Sequence, residues 1–248
     1  MTRISVLDHP FDTISAPELL QQIQLSITRK EQITIAFSNP EHVLSYLQNK
    51  SVKGYTDQCK YILPDGTGII WASKILKNEN DGVSLNQRIT GTVFAYAISQ
   101  ACQEQKWRFC IYGGTIDSNT RAVIVCQEIY PGIEILGIPG YGRSEKEILL
   151  QLREYRPTVL MVCQGNPRQE LWIQKNRKLL PNTYLIFGNG GAVDFISGTV
   201  KRAPLFFLRF HFEWLFRLTQ DFTPKRFNRL LRIPMFVWMV LIRKLAKS

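Results

Sequence analysis

Residues 158–191 read TVLMVCQGNPRQELWIQKNRKLLPNTYLIFGNGG, and this stretch decides the fold. Thr158–Cys163 is a short apolar run of strand length. Pro167–Leu180 has the length and amphipathic spacing of a helix, and Thr183–Phe187 is apolar again before a Gly-rich turn. A strand, a helix and a second strand in so few residues form a crossover unit, which places the two strands in parallel.

The same rhythm extends outward. Strands are expected at Ile4–Leu7, Ile33–Phe37, Tyr61–Leu63, Trp107–Tyr112 and Ile133–Ile138. A first helix is capped by Ser15, with Pro17 in its first turn and Leu19, Leu20, Ile23 and Ile27 on one face. Further helices run from Asn39-Pro40 through Leu47, over Thr67–Leu76, after Arg88 and Thr90 to Gln105, and over Ser118–Tyr130 and Ser144–Tyr155. Lys77–Asn86 reads as a loop. The alternation predicts an α/β fold, a Rossmann-like, mainly parallel sheet flanked by helices on both faces.

The 248 residues suffice for one substantial core, read as an α/β body over 1–198 and a C-terminal appendage over 199–248. Five cysteines lack any C-x-x-C pair and sit mostly in apolar runs, so buried free thiols in a reducing compartment are expected. MTRISVLDHPFDTIS contains no apolar h-region, which points to a cytoplasmic protein. The net charge is +11, and from Thr199 onward eleven Lys or Arg face two acids, Glu213 and Asp221. These basic residues alternate with Phe, Leu, Ile and Trp, a composition that favours an anionic lipid surface over nucleic acid. Arg209, Glu213 and Arg217 are spaced by four, and Arg226, Arg229 and Arg232 recur every third residue. Pro234–Ile242 is continuously apolar but far short of the roughly 20 residues a spanning helix needs. The appendage is therefore expected to lie on the inner face of the membrane or to pack on the body.

In open α/β sheets, ligands bind at the carboxyl ends of the strands. The loops there are Ser38-Asn39, Pro64-Asp65-Gly66, Gly113-Gly114-Thr115, Gln164-Gly165-Asn166-Pro167 and Gly188–Gly191. All are small, polar or Gly-bearing, as a nucleotide pocket requires. Asp65 is the candidate general base toward an incoming hydroxyl; the competing role is a cap for the helix that follows. Arg88 is a candidate diphosphate clamp or else a surface ion-pair partner. Ser38 and Asn39 are pocket residues or helix caps, and Gln169 lies near a predicted helix start; Asp194, just inside the last loop, is a candidate acceptor from a ribose or base, the competing role being a cap or turn. His9, His42 and His211 show no partner spacing and receive no catalytic role. There is no D-x-D metal motif and no Walker A, and G-N-G-G-A-V lacks the third glycine of a dinucleotide fingerprint.

L-P-D-G-T-G-I-I-W-A-S-K (63–74), R-I-T-G (88–91), G-N-P-R-Q-E-L-W (165–172), G-N-G-G-A-V-D-F-I-S-G-T-V-K-R-A-P (188–204) and F-E-W-L-F-R-L (212–218) together resemble the WecG/TagA/CpsF glycosyltransferases, over nearly the whole chain and in one order. Asn189 and Val193 stand where the family pattern has an apolar residue and Phe. The resemblance implies an inverting transfer, without metal or other cofactor, of a sugar (N-acetylmannosamine, its uronic acid or a related hexose) from a UDP-sugar. The acceptor it implies is an undecaprenyl-diphosphate-linked sugar in capsule, teichoic-acid or common-antigen synthesis. By matching position, Asp65 takes the base role with Arg88 beside it. Ser38, Asn39, Gly66, Gln169, Gly190, Gly191 and Asp194 fall in the donor site. Arg202, Arg217, Arg226 and Arg229 face the acceptor diphosphate and the membrane. Two other classes stay open: a non-catalytic UDP-sugar-binding scaffold, and a nucleotide-dependent oxidoreductase or epimerase. A homo-oligomer is compatible with either.

Overall fold

A computed structural model describes residues 2–199 and 224–246; for residue 78 and residues 224–231 only the backbone is described. Six strands form one parallel sheet: β3 (Ile33–Ser38), β4 (Tyr61–Pro64), β5 (Phe109–Gly113), β6 (Ile135–Ile138), β7 (Val159–Cys163) and β8 (Leu185–Gly188), in the spatial order β4-β3-β8-β7-β5-β6. β5 leads through α6 (Ile116–Ile129) to the β6 edge. β7 leads through α8 (Arg168–Asn176) the other way, to β8. The chain thus diverges between β5 and β7, which opens a crevice at the carboxyl edge.

Side chains alternate across the sheet because the strand period is two. Ile35, Leu63, Ile111, Met161 and Phe187 join a core with α1 (Ala16–Thr28), α5 (Gly91–Gln105), α6 and α9 (Ala192–Ile196). Ala36, Ile62, Cys110, Leu160 and Ile186 face the other way. They pack with α2 (Pro40–Gln48), α3 (Lys50–Asp57), α4 (Thr67–Ile75), α7 (Glu145–Tyr155), α8 and α10 (Pro224–Ala246). All five cysteines are buried and free, and burial pushes their thiols up, Cys59 and Cys126 to about 11.

Local chemistry explains most element boundaries. Ser15 caps α1, accepting from Glu18 N, and Ser144 closes a reciprocal capping box with Glu147 on α7. Beyond the short α9 and a 3-10 turn at Lys77–Asn80 that opens the stretch expected as a loop, two further elements exceed the expectation from sequence. Asn49 ends α2 and caps α3 through Ser51 N and Val52 N, so the chain turns directly into a second helix. At the amino end, β1 (Arg3–Val6) pairs antiparallel with β2 (His9–Asp12) around Leu7 and Asp8, both at positive φ. Asp12 ties this hairpin to the sheet: its carboxylate accepts from Arg3 Nε at 2.8 Å, Arg3 Nη2 at 3.0 Å and Ile62 N of β4 at 2.7 Å.

α10 is continuous through Pro234, and its face bearing Phe236 and Val240 joins the body's core. Met235, Trp238, Ile242 and Leu245 lie on the outer face and are exposed. Arg243 anchors the inner face, donating to both oxygens of Glu79 and, through Nη2, to Asp8 at 2.8 Å. No helix among the described residues is long and apolar enough to cross a membrane.

His9 is fully buried against Phe11 and Tyr46, with Nδ1 donating to Pro10 O at 2.8 Å. Burial, aided by neighbouring His42, holds its pKa well below the usual imidazole value. Below about pH 6.5 the unfolded chain therefore binds a proton that the folded chain refuses, and acid destabilises the fold. Relative to a His9→Phe chain, we predict a loss of about 1.4 kcal/mol per pH unit below pH 6.5, and parallel curves above it, by denaturant titration.

Candidate active site

Motifs far apart in sequence close a ring at the carboxyl edge of the sheet. Ser38 of β3 lies opposite Pro64 of β4, and the next amide, Asp65 N, donates to Ser38 O at 3.0 Å. Ile89 N donates to Pro64 O at 3.0 Å, which straps Arg88 beside the same strand end. Gly91 begins α5 against Asn189: a Cβ on Gly91 would fall 2.9 Å from both polar atoms of the Asn189 amide. Asn189 N in turn donates to Val162 O at 2.9 Å. A Cβ on Gly190 would sit 2.6 Å from Gly165 Cα, so the loops after β8 and β7 meet backbone to backbone.

Gln169 lies under this junction and is buried. Its Oε1 accepts from Gly165 N at 3.1 Å, its Nε2 donates to Glu170 Oε1 at 3.0 Å, and it packs against Gly188 and Gly190. Its side chain fixes the two loops from beneath. On the crevice side, Gly114 N donates to Cys163 O at 3.2 Å, and a Cβ on Gly113 would meet that oxygen at 2.3 Å.

Of the open alternatives, some now close. Gly66, with φ 115°, occupies the cap position of α4, so Asp65 is not that cap; its half-buried carboxylate lies at the end of β4. Asn39 does cap α2, accepting from His42 N at 2.9 Å. Arg88 is exposed and precedes Thr90, which caps α5. Asp194 and Gly191 belong to the short α9 and its start, where Asp194 O accepts from Ser197 and Thr199. Arg226 and Arg229 fall in the first turns of α10, whereas Arg202 and Arg217 lie outside the described residues.

Ser38 and Asn189, two residues already singled out in the sequence, are accompanied here by buried Glu170, for which the sequence pointed to no role. Ser38 Oγ and Asn189 Nδ2 are buried and without a partner among the described residues, two polar groups at the pocket edge with unmet hydrogen-bonding capacity. Glu170 is buried beside His42. Burial raises its pKa, but the His42 ring 3.6 Å away and the hydrogen bond from Gln169 outweigh that and hold it below the usual carboxylate range. The only sequence signals for this layer are Asn166 before Pro167 and Glu170 directly after Gln169. Among the described residues no group of three or more His, Cys, Asp or Glu is placed to hold a metal ion.

The glycosyl transferase WecG/TagA/CpsF family model matches residues 4–248. The chain belongs to that family. It is a glycosyltransferase. The chain is 34% identical over 215 residues (86% of this chain, 80% of the relative) to an N-acetylglucosaminyldiphosphoundecaprenol N-acetyl-beta-D-mannosaminyltransferase of Bacillus spizizenii. It is 31% identical to the protein of that name in Bacillus subtilis, covering 87% of this chain and 81% of the relative. A Staphylococcus aureus protein of the same name is 27% identical over 241 residues, covering 96% of this chain and 92% of the relative.

The Gly190–Gly165 approach leaves no room for a methyl group. We predict that Gly190→Ala pushes the two loops apart and lowers kcat/KM by about 10- to 100-fold, since small displacements of positioning groups have effects of that order. Initial-rate kinetics with varied donor concentration measure it.

Proposed function

We propose that the protein transfers a sugar from a UDP-sugar to an undecaprenyl-diphosphate-linked sugar with inversion and without a metal, Asp65 acting as general base. The observation that carries this reading is the ring itself: a half-buried carboxylate at the end of β4, hydrogen-bonded through its own amide to β3, with Arg88 strapped to the same strand end. Asp65 takes the proton from the acceptor hydroxyl as its oxygen bonds to the donor C1. The bond from C1 to the phosphate oxygen breaks, and UDP leaves with the electron pair. Cations and helix-terminal amides stabilise the charge that develops on the departing diphosphate. Arg88 and the arginines of the C-terminal segment, Arg202, Arg217, Arg226 and Arg229, are our candidates for that clamp. The absence of a D-x-D motif and the concentration of basic residues after Thr199 support a clamp built from side chains.

The names of the relatives favour N-acetylmannosamine as the transferred sugar and N-acetylglucosaminyl-diphosphoundecaprenol as the acceptor. A β-linked product from an α-linked sugar nucleotide requires inversion at C1, in keeping with a single base. In the donor site we assign Ser38 and Asn39 at the end of β3, Gly66, Gly190, Gly191 and Asp194, with Gln169 holding the loops. The unpartnered Ser38 Oγ supports a ligand contact there.

We further propose that α10 lies on the inner, anionic face of the membrane. Its exposed Met235, Trp238, Ile242 and Leu245 form one apolar stripe, with Arg and Lys at both ends of the helix.

Asp65→Asn should lower kcat by about 10²- to 10⁴-fold, while UDP-sugar binding by calorimetry stays near wild type. Normal turnover with a short-chain lipid-diphosphate acceptor would remove the base assignment, and no transfer by the wild-type chain would favour a binding scaffold. For the membrane reading, Trp238→Ser should weaken partitioning onto phosphatidylglycerol vesicles by about tenfold, the order expected for one large apolar side chain. Raised salt should weaken it only in part. Unchanged cosedimentation of the Trp238→Ser, Ile242→Ser double variant would refute the docked face.

A further inference from the structure

A second polar connection joins α10 to the pocket through residues that none of the motif arguments assigns. Arg232 of α10 donates from Nη1 to Ser45 Oγ on α2 at 3.3 Å, and Ser45 Oγ donates to Asn166 Oδ1, in the loop after β7, at 3.0 Å. Asn166 Nδ2 lies 3.2 Å from His42 Nδ1, and His42 Nε2 lies 3.0 Å from Thr56 Oγ1. The Thr56 hydroxyl donates its single proton to Val52 O at 2.8 Å, so it accepts from His42 Nε2. In the imidazole tautomer that carries its proton on Nε2, Nδ1 accepts from the Asn166 amide. Glu170 Oε1, at 3.6 Å, stands beyond hydrogen-bond distance from the same nitrogen.

In that tautomer every donor in the series points one way, from Arg232 through Ser45, Asn166, His42 and Thr56 to Val52 O. Such an aligned series polarises its members, and its start is a charged donor on the C-terminal helix. Asn166 is its middle link, and the adjacent Gly165 is gripped by Gln169 and pressed against Gly190.

We propose that Asn166 is a positioning residue for the transfer, and that Arg232 acts through it to hold the Gly165–Pro167 loop in its pocket-forming place when α10 is seated. The seating of the C-terminal helix and the shape of the donor pocket are then one equilibrium. This rests on the transferase reading above, but the relay also has a signature independent of turnover.

The test uses the full chain and compares Arg232→Met with Arg243→Met, which removes the other α10 anchor without touching the relay. Amide hydrogen exchange over residues 164–170 should rise about tenfold in Arg232→Met and stay at the wild-type rate in Arg243→Met. In turnover, Arg232→Met should raise the donor KM about tenfold with little change in kcat, and should add nothing further in an Asn166→Ala background. Ser45→Ala should reproduce the Arg232→Met effect and Ser45→Thr should not, which keeps the test open if Asn166→Ala fails to fold. Unchanged exchange in Arg232→Met, equal exchange in the two arginine variants, or additive effects of Arg232→Met and Asn166→Ala would each overturn the relay. If the wild-type chain transfers no sugar, the transferase reading falls, and the exchange comparison still decides the relay.

Discussion

The pocket depends on close approaches to backbone where side chains cannot fit. Gly190 meets Gly165 and Gly113 meets the Cys163 carbonyl oxygen, main chain against main chain, while Gly91 makes room for the Asn189 side-chain amide. These contacts let four strand-end loops converge closely enough for Asp65, Arg88 and the glycine-rich turn to share one edge. A single methyl group at Gly190 or Gly113 would have to displace main chain, because the neighbouring atom is not the end of a flexible side chain. Gln169 completes the constraint from below, satisfying the Gly165 amide that the packed loops shield.

Most of the sheet was legible because its strands are short apolar runs separated by capped amphipathic helices, and Ser15, Asn39, Thr90 and Ser144 announce four of those starts. What escaped the reading lacked the usual punctuation. The β1–β2 hairpin turns on Leu7-Asp8, which takes positive φ without the glycine or asparagine that advertises such a turn. α3 follows α2 with Asn49 serving both as terminator and as cap, so no loop marks the boundary. The strand-end candidates were legible from position alone, since alternation predicts which loops share an edge. The layer beneath them was not. His42, Asn166 and Glu170 meet through tertiary packing of α2, β7 and α8, and nothing in their spacing declares it.

α10 belongs to two environments at once. Phe236 and Val240 sit in the same core as the amino-terminal hairpin, and Arg243 bridges to Asp8 and Glu79. The outer stripe of Met235, Trp238, Ile242 and Leu245 remains uncovered. The sequence suggested either a membrane face or a packed helix; the helix period of 3.6 residues allows both on one element. Pro234 is accommodated within the helix and lies exposed.

The five buried thiols carry a practical consequence. With Cys59, Cys102, Cys110, Cys126 and Cys163 all enclosed and poorly ionised, the folded protein offers reagents no accessible native thiolate. A cysteine introduced at Trp238 or Leu245 would carry a fluorophore or spin label selectively, with no native cysteine removed. The natural sequence is already a background for measuring the depth and tilt of its own C-terminal helix.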